Sequence, residues 1–168
     1  MAVDSGGEFD RAFRGAVQYS LDSGFKEIFE LKPVQEEALL HFVKREDVFA
    51  VLPTGCGKSL IFQLVPKVCE YLHDQGFQYP KAAILVVVCP LSALIDSHIQ
   101  ELKDHGISAC SLTDQDILED DVAKHSIVFT SPELIVREEK WRKVLQSKPF
   151  QDRLFDLVTD EAHVVPKW

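Results

Sequence analysis

The chain has 168 residues, of which 46% are hydrophobic, so it is long enough to bury the core of one domain. Its 18 basic and 27 acidic residues give a formal net charge of -9, which on average repels a polyanion such as nucleic acid. A nucleic-acid partner would therefore need a local basic patch. The polar, acidic first residues are unlike a secretory leader, and no apolar run is long enough to span a bilayer, so we expect an intracellular protein.

Two helices are predicted in the first part of the chain. Residues 3–7 are expected to form a frayed tail. Apolar residues then recur at helical spacing from Phe9 to Leu21, which predicts a helix that ends near Gly24. A second helix is expected to open at Pro33, because proline suits the first helical turn. We assign residues 1–24 to a tail and helix, and residues 25–168 to one domain.

From residue 48 onward, short apolar runs alternate with stretches of helix length. The runs are rich in valine and isoleucine without polar alternation, which is typical of strands buried on both faces. The sequence therefore predicts an α/β fold, a parallel sheet with flanking helices. The predicted strands cover residues 48–52, 83–89, 107–112, 127–130 and 154–159. The predicted helices between them cover residues 57–75, 91–105, 114–123 and 132–146.

The segment LPTGCGKS, which begins at Leu52, predicts a phosphate-binding loop. Gly55 and Gly57 let backbone N–H groups approach phosphate oxygens, because glycine has no side chain and reaches φ > 0. Lys58 would place a cation at the β and γ phosphates, Ser59 would offer a hydroxyl to Mg²⁺, and the next helix would point its positive end at the anion. A strict phosphate-loop pattern has glycine in place of Leu52, so an ordinary glycine-rich turn is the alternative.

An acidic pair follows the last predicted strand. Asp160, at a strand end, can hold Mg²⁺ through its water shell, and Glu161 can orient and deprotonate an attacking water. The alternative is a solvated acidic strand end. Together with the glycine-rich loop, the pair predicts a magnesium-dependent nucleoside triphosphate site.

The tetrapeptide DEAH, which begins at Asp160, together with PTGCGKS resembles the superfamily 2 helicases. Longer segments are similar to RecQ-type DNA helicases: PTGCGKSLIFQLV at 53–65, VVVCPLSALIDSHIQEL at 86–102, FTSPELIV at 129–136 and DEAHVVPKW at 160–168. In that family the loop lacks the first phosphate-loop glycine, as it does at Leu52. The resemblance runs from about Leu31 to Trp168. It implies part of the first RecA-like lobe of an ATP-dependent 3'–5' DNA helicase, a P-loop NTPase lobe that is incomplete after the DEAH box.

The resemblance also implies roles for individual residues, with ATP and Mg²⁺ as cofactors. Gln35 in LKPVQ would read the adenine base, although Lys32 stands where the family usually has arginine. His163 would couple nucleotide state to an aromatic loop that begins near Trp168. The implied nucleotide-binding residues are Gln35, Thr54, Gly55, Cys56, Gly57, Lys58 and Ser59. The implied catalytic residues are Lys58, Asp160 and Glu161, and the implied Mg²⁺ ligands are Ser59 and Asp160.

Two further segments of the resemblance would lie near the backbone of a DNA strand. Each is equally plausible as an ordinary helix start, since Ser131 can act as an N-cap and Pro132 suits a first turn. The implied DNA-contacting residues are Pro90, Leu91, Ser92, Ser131, Pro132 and Glu133.

RecQ-type enzymes hydrolyse ATP between two RecA-like lobes, and an arginine from the second lobe accelerates the reaction by roughly 10³ to 10⁵. The 168 residues include no second lobe, so we expect them to bind nucleotide weakly, to hydrolyse it slowly and not to unwind DNA. The implied partners are single-stranded DNA or a single-strand/duplex junction and the second lobe, and the implied compartment in a eukaryote is the nucleus. Two alternatives are a nucleotide- or nucleic-acid-binding module without turnover and a DEAH-type ATPase that acts on RNA or chromatin.

Overall fold

The computed structural model describes residues 5–90 and 92–161, which fall into two compact units that divide between Lys81 and Ala82. The described part of the first unit is helical. Its helices are α1 (Ser5–Gly24), α2 (Pro33–Val43), α3 (Lys58–Gln63) and α4 (Val65–Asp74). α1 packs along α4, and at their contact a Cβ atom added to Gly15 would stand 2.7 Å from Tyr71 Oη. The small residue at this position therefore allows the two helices to approach closely.

The helices of the first unit differ from their predicted bounds in two places. α1 begins at Ser5, so the residues 5–7 that were expected to fray are helical, and α1 ends at Gly24 as predicted. The single helix predicted at 57–75 is divided at Leu64 into α3 and α4. Pro66 explains the division, because a proline nitrogen cannot donate a hydrogen bond to the preceding helical turn.

The prediction of a strand at residues 48–52 is wrong, because these residues belong to no strand of the structure. The side chain of Phe49 is 82% exposed and that of Val51 is 79% exposed, whereas a strand buried on both faces would cover them. Apolar, β-branched residues favour a strand, but a strand also needs a neighbour that pairs with its backbone N–H and C=O groups. The four strands that the structure describes pair only with one another.

The second unit is built on a parallel sheet with the strand order β2-β3-β1-β4, which confirms the predicted α/β fold. Its strands are β1 (Ile84–Val88), β2 (Ala109–Ser111), β3 (Ile127–Thr130) and β4 (Leu154–Thr159). Its helices are α5 (Ser92–Asp104), α6 (Glu119–Val122), α7 (Pro132–Arg137), α8 (Glu139–Gln146) and α9 (Lys148–Gln151). β1 is buried along its whole length between β3 and β4, as its uninterrupted apolar run predicted.

The remaining predicted bounds in the second unit are partly wrong. β2 is shorter than the strand predicted at 107–112, and only the last part of the helix predicted at 114–123 is helical. The helix predicted at 132–146 is interrupted at Glu138, whose extended backbone (φ -99°, ψ 100°) separates α7 from α8. The division of the chain at residue 24 into two parts stays a prediction.

One face of the sheet packs on a cluster of buried side chains that α8 and α9 help to form. Trp141 of α8 is 2% exposed, so this tryptophan is a packing residue of the core. Burying an aromatic side chain of this size is one of the larger single contributions to the stability of a small domain. The cluster consists of Ile84, Val86, Cys110, Leu112, Val122, Val128, Trp141 and Phe150.

Candidate nucleotide-binding site

The predicted phosphate loop lies in the first unit as an exposed turn that leads into α3. Gly55 (φ 79°) and Gly57 (φ 74°) both adopt the left-handed backbone conformation that glycine tolerates best. The Cys56 N–H donates to Pro53 O at 3.2 Å and closes the turn between them. Thr54 is exposed at the outside of the turn. The backbone therefore has the glycine conformations on which the predicted phosphate cradle depends.

Lys58 and Ser59 are the first two residues of α3, and both are partly exposed. Gly57 stands at the N-cap position and provides no side-chain cap for the helix. Phosphate oxygens are acceptors for the backbone N–H groups, for a lysine ammonium and for a serine hydroxyl, so a nucleotide phosphate fits the chemistry of this turn. The Ser59 hydroxyl oxygen could also hold Mg²⁺ through a lone pair, because Mg²⁺ prefers oxygen ligands.

Gln35 of α2 holds the loop in place. Its side chain is 4% exposed, and its Nε2 donates to Cys56 O at 3.0 Å and to Gly57 O at 3.1 Å. Its Oε1 accepts from the Lys32 N–H at 2.9 Å. A Cβ atom added to Gly57 would stand 2.7 Å from Gln35 Nε2, so a larger residue at position 57 would displace the Gln35 amide. Both N–H donors of the Gln35 amide are engaged by the loop, and the reading of adenine by this residue stays a prediction.

The acidic pair lies in the second unit, directly after β4. The Asp160 N–H donates to Val88 O at 2.9 Å, which carries the sheet pairing one residue past the strand end. Asp160 Oδ1 accepts from the Glu161 N–H at 3.0 Å, and Asp160 Oδ2 lies 3.2 Å from His98 Nε2. Glu161 adopts φ 54°, which is uncommon for any residue other than glycine and is often found at functional sites.

The Asp160 carboxylate suits a hydrated Mg²⁺. Its side chain is 15% exposed at the carboxyl end of a parallel strand, the place where ligands of open α/β sheets bind. Mg²⁺ is commonly held by one or two carboxylates together with phosphates and water. Within residues 5–90 and 92–161, no group of three or more His, Cys, Asp or Glu residues is arranged to hold a metal ion.

A sequence profile of DEAD/DEAH box helicases matches residues 32–168. The chain belongs to the DEAD/DEAH box helicase family. Its curated relatives confirm the resemblance to RecQ-type helicases. The ATP-dependent DNA helicase Q1 of Mus musculus is 31% identical over 164 residues, which is 92% of this chain and 23% of the relative. The ATP-dependent helicase SGS1 of Saccharomyces cerevisiae is 29% identical over 153 residues, which is 84% of this chain and 10% of the relative.

The helicase fold is also found by comparison with solved structures. The DUF1998 helicase MrfA, in a crystal structure with DNA and AMPPNP, superposes with a TM-score of 0.62 and 22% identity over 89% of this chain and 21% of that chain. This likeness confirms the RecA-like fold. The chain spans 25% or less of the length of these curated relatives, so it corresponds to one portion of those helicases.

Two helices of this helicase domain begin at residues that were predicted to contact DNA. Ser131 Oγ accepts from the Leu134 N–H at 3.3 Å and caps α7, with Pro132 at the first turn and Glu133 exposed beside it. The helix-start alternative is therefore formed, and contact with DNA stays a prediction. Pro90 is partly exposed after β1, and α5 begins at Ser92.

Several predicted residues cannot be placed. Leu91, His163 and Trp168 lie outside the described residues, as does the side chain of Ser92. In the part of the chain that the structure describes, no helix is long and apolar enough to cross a membrane.

His98 contacts Asp160 of the acidic pair, and the sequence did not indicate this contact. It lies 62 residues before Asp160, within the helix that follows β1. A histidine on a helix with mixed polar neighbours gives no periodic signal, and only the sheet topology brings it to the end of β4. The order β3-β1-β4 places the segments after these three strands at one edge of the sheet, because parallel strands share their carboxyl ends.

Proposed function

We propose that this chain is the ATP-binding portion of a RecQ-like 3'–5' DNA helicase. The observation that carries the proposal is the loop in which Gly55 and Gly57 both adopt positive φ ahead of Lys58 and Ser59. An ordinary turn does not require two glycines with positive φ followed by a lysine and a serine at the start of a helix. The membership of the DEAD/DEAH box family supports the same conclusion.

Each residue of the site then has one task. The backbone of Thr54 to Gly57 surrounds the phosphates, and the Lys58 ammonium neutralises the charge on the β and γ phosphates. Ser59 and Asp160 would each offer an oxygen to Mg²⁺, which when bound would neutralise phosphate charge. Glu161 orients the attacking water and accepts its proton.

The proposed partners of the chain are DNA and a second RecA-like lobe. Single-stranded DNA, or the junction between single strand and duplex, would run past Pro90 and the start of α7 at the carboxyl end of the sheet. A second RecA-like lobe would supply the arginine that stabilises the transferred phosphoryl group, so efficient hydrolysis and unwinding belong to the longer enzyme. The setting is intracellular, and in a eukaryote it is the nucleus.

The test is a thermal melt of the chain with and without saturating Mg-ADP. A ligand at about 100 times its Kd stabilises the folded protein by roughly 2.7 kcal/mol, which raises the Tm of a chain of this size by about 5 to 10 °C. Lys58→Ala should abolish the shift, because it removes the cation at the phosphates. Lys26→Ala is the matched control, since Lys26 is another exposed lysine of the first unit. An equal shift in the Lys58→Ala chain would exclude nucleotide binding at the loop.

Two other functions are separated by measurements of turnover. A binding module would show the ADP shift but no ATP hydrolysis when single-stranded DNA and the second lobe are added. A DEAH-type ATPase of RNA or chromatin would be stimulated more by RNA than by DNA of the same length. Stimulation by single-stranded DNA above that by RNA is the result expected for the RecQ-like function.

A further inference from the structure

One histidine connects α5 to the acidic pair. The His98 ring lies flat against Phe129 of β3, with 5.6 Å between the ring centroids and 7° between the ring planes. Phe129 is completely buried, and the His98 side chain is 14% exposed. A ring stacked on a fixed aromatic side chain has little freedom to rotate, so the direction of His98 Nε2 is set by the sheet beneath it.

His98 Nε2 points at the carboxylate of Asp160, at 3.2 Å from Oδ2. The other oxygen, Oδ1, accepts from the Glu161 N–H at 3.0 Å. The carboxylate is therefore held from both sides, and its plane is fixed. This second bond comes from Glu161, whose φ is 54°. The Asp160 carboxylate therefore also stabilises the left-handed backbone conformation of Glu161.

We propose that His98 is a positioning residue that holds Asp160 in the orientation needed to bind Mg²⁺ with a nucleotide. The inference rests on the proposed function, and it adds a residue from outside the phosphate loop and the DEAH box. Nε2 must carry a proton to donate to a carboxylate, and this hydrogen bond would hold the Asp160 carboxylate in one orientation. Partners that orient a metal-binding group in this way typically contribute 10- to 100-fold to metal affinity.

The test compares two substitutions of the same ring. His98→Phe keeps a flat ring on Phe129 but removes the N–H, and His98→Gln keeps an N–H donor at a similar distance from the backbone. The chain is melted with saturating ADP while MgCl₂ is increased from zero, and the Mg²⁺ concentration at half of the full Tm shift is measured. A second series with ADP in EDTA reports nucleotide binding without the metal.

We expect His98→Phe to raise the half-saturating Mg²⁺ concentration by about 10- to 100-fold and His98→Gln to restore most of it. The shift with ADP in EDTA should be the same in all three chains. An unchanged Mg²⁺ requirement in His98→Phe, an equal loss in His98→Gln, or a parallel loss in EDTA would overturn the inference. Absence of any Mg-ADP shift in the unsubstituted chain would instead refute the proposed function.

A second pair of variants covers the case in which His98→Phe does not fold. His98→Gln and His98→Met have unbranched side chains of similar length, of which only glutamine carries an N–H donor. The same difference in Mg²⁺ requirement is expected between these two chains. Equal requirements in them would overturn the inference.

Discussion

Two stretches of almost the same composition behave in opposite ways in this molecule. Residues 48–52 read VFAVL and lie exposed without a strand, whereas Ile84–Val88 reads ILVVV and is the buried centre of a sheet. β1 has a paired strand on each side, and residues 48–52 belong to no strand. An apolar, β-branched run therefore favours a strand, but the presence of neighbouring strands decides whether it forms one.

Replacing a phenylalanine in a buried strand and one in the exposed stretch should have very different effects on stability. Phe155 of β4 is 3% exposed and Phe49 is 82% exposed. Phe155→Ala should lower the free energy of unfolding by about 3 to 5 kcal/mol, because it leaves a cavity in a packed core. Phe49→Ala should change it by no more than about 0.5 kcal/mol, as is usual for exposed positions. Urea denaturation followed by circular dichroism measures both values.

Similar losses of unfolding free energy in the two phenylalanine variants would mean that the two stretches are packed alike. A loss above about 1.5 kcal/mol in Phe49→Ala would mean that residues 48–52 are packed in solution as a strand would be. Phe150→Ala serves as a second core control, because Phe150 is completely buried in the cluster beneath the sheet.

The same contrast explains what sequence patterns predict well. β3 and β4 have the predicted bounds, and β1 differs by one residue at each end. β1 and β3 are buried along their whole length, as uninterrupted apolar runs predict, whereas β4 contains Asp156 and is largely half-buried or exposed. The interruption at Glu138 was missed because neither glycine nor proline marks it. The helical pattern reflects only the spacing of apolar residues along the chain, whereas this break depends on how α7 and α8 pack against each other.

The candidate site was predictable to a similar extent. The order of residues in LPTGCGKS indicates the loop directly, since the left-handed conformation of Gly55 and Gly57 is a local property. The contacts of Gln35 with the loop span 21 and 22 residues, and that of His98 with Asp160 spans 62. Such contacts arise from the folded arrangement, and a single sequence contains no local sign of them.

The phosphate loop directly follows the stretch that forms no strand, and Gln35 connects this loop to α2. Gln35→Ala removes both donors to Cys56 O and Gly57 O, so we expect a loss of about 1 to 3 kcal/mol in the free energy of unfolding. Amide hydrogen exchange of Cys56 to Lys58 should become faster, since the loop loses its connection to α2. Exchange measured by NMR or mass spectrometry reports both local and global opening.

The control for this variant is another glutamine on a helix of the first unit. Gln18 is exposed and donates to Asp22 within α1 at 2.9 Å, so Gln18→Ala should change stability by less than about 0.5 kcal/mol. Equal exchange rates at the loop in Gln35→Ala and in the unsubstituted chain would show that the loop keeps its conformation without the glutamine.

The weakest effect on stability is expected from the ionisation of two buried thiols, Cys69 in the first unit and Cys110 in the second. Burial raises the pKa of Cys69 in the first unit from 9.0 to about 12, and the cationic Arg45 opposes this rise. Burial, assisted by the negative charge of Asp114, raises the pKa of Cys110 in the second unit to about 12. Well below pH 9 each thiol is protonated in both the folded and the unfolded chain, so neither thiol makes stability depend on pH there.

Above pH 9 the unfolded chain releases these thiol protons while the folded chain keeps them, so stability falls as the pH rises towards 12. Each thiol should contribute a loss of up to about 1.4 kcal/mol by pH 10. Urea denaturation at pH 8 and pH 10 of the unsubstituted chain, Cys69→Ala and Cys110→Ala measures the two contributions, because each substitution should remove its own part of the alkaline loss. An alkaline loss that only Cys110→Ala reduces would show that the first unit, which lacks a described sheet, leaves Cys69 open to solvent and is less tightly packed than the second.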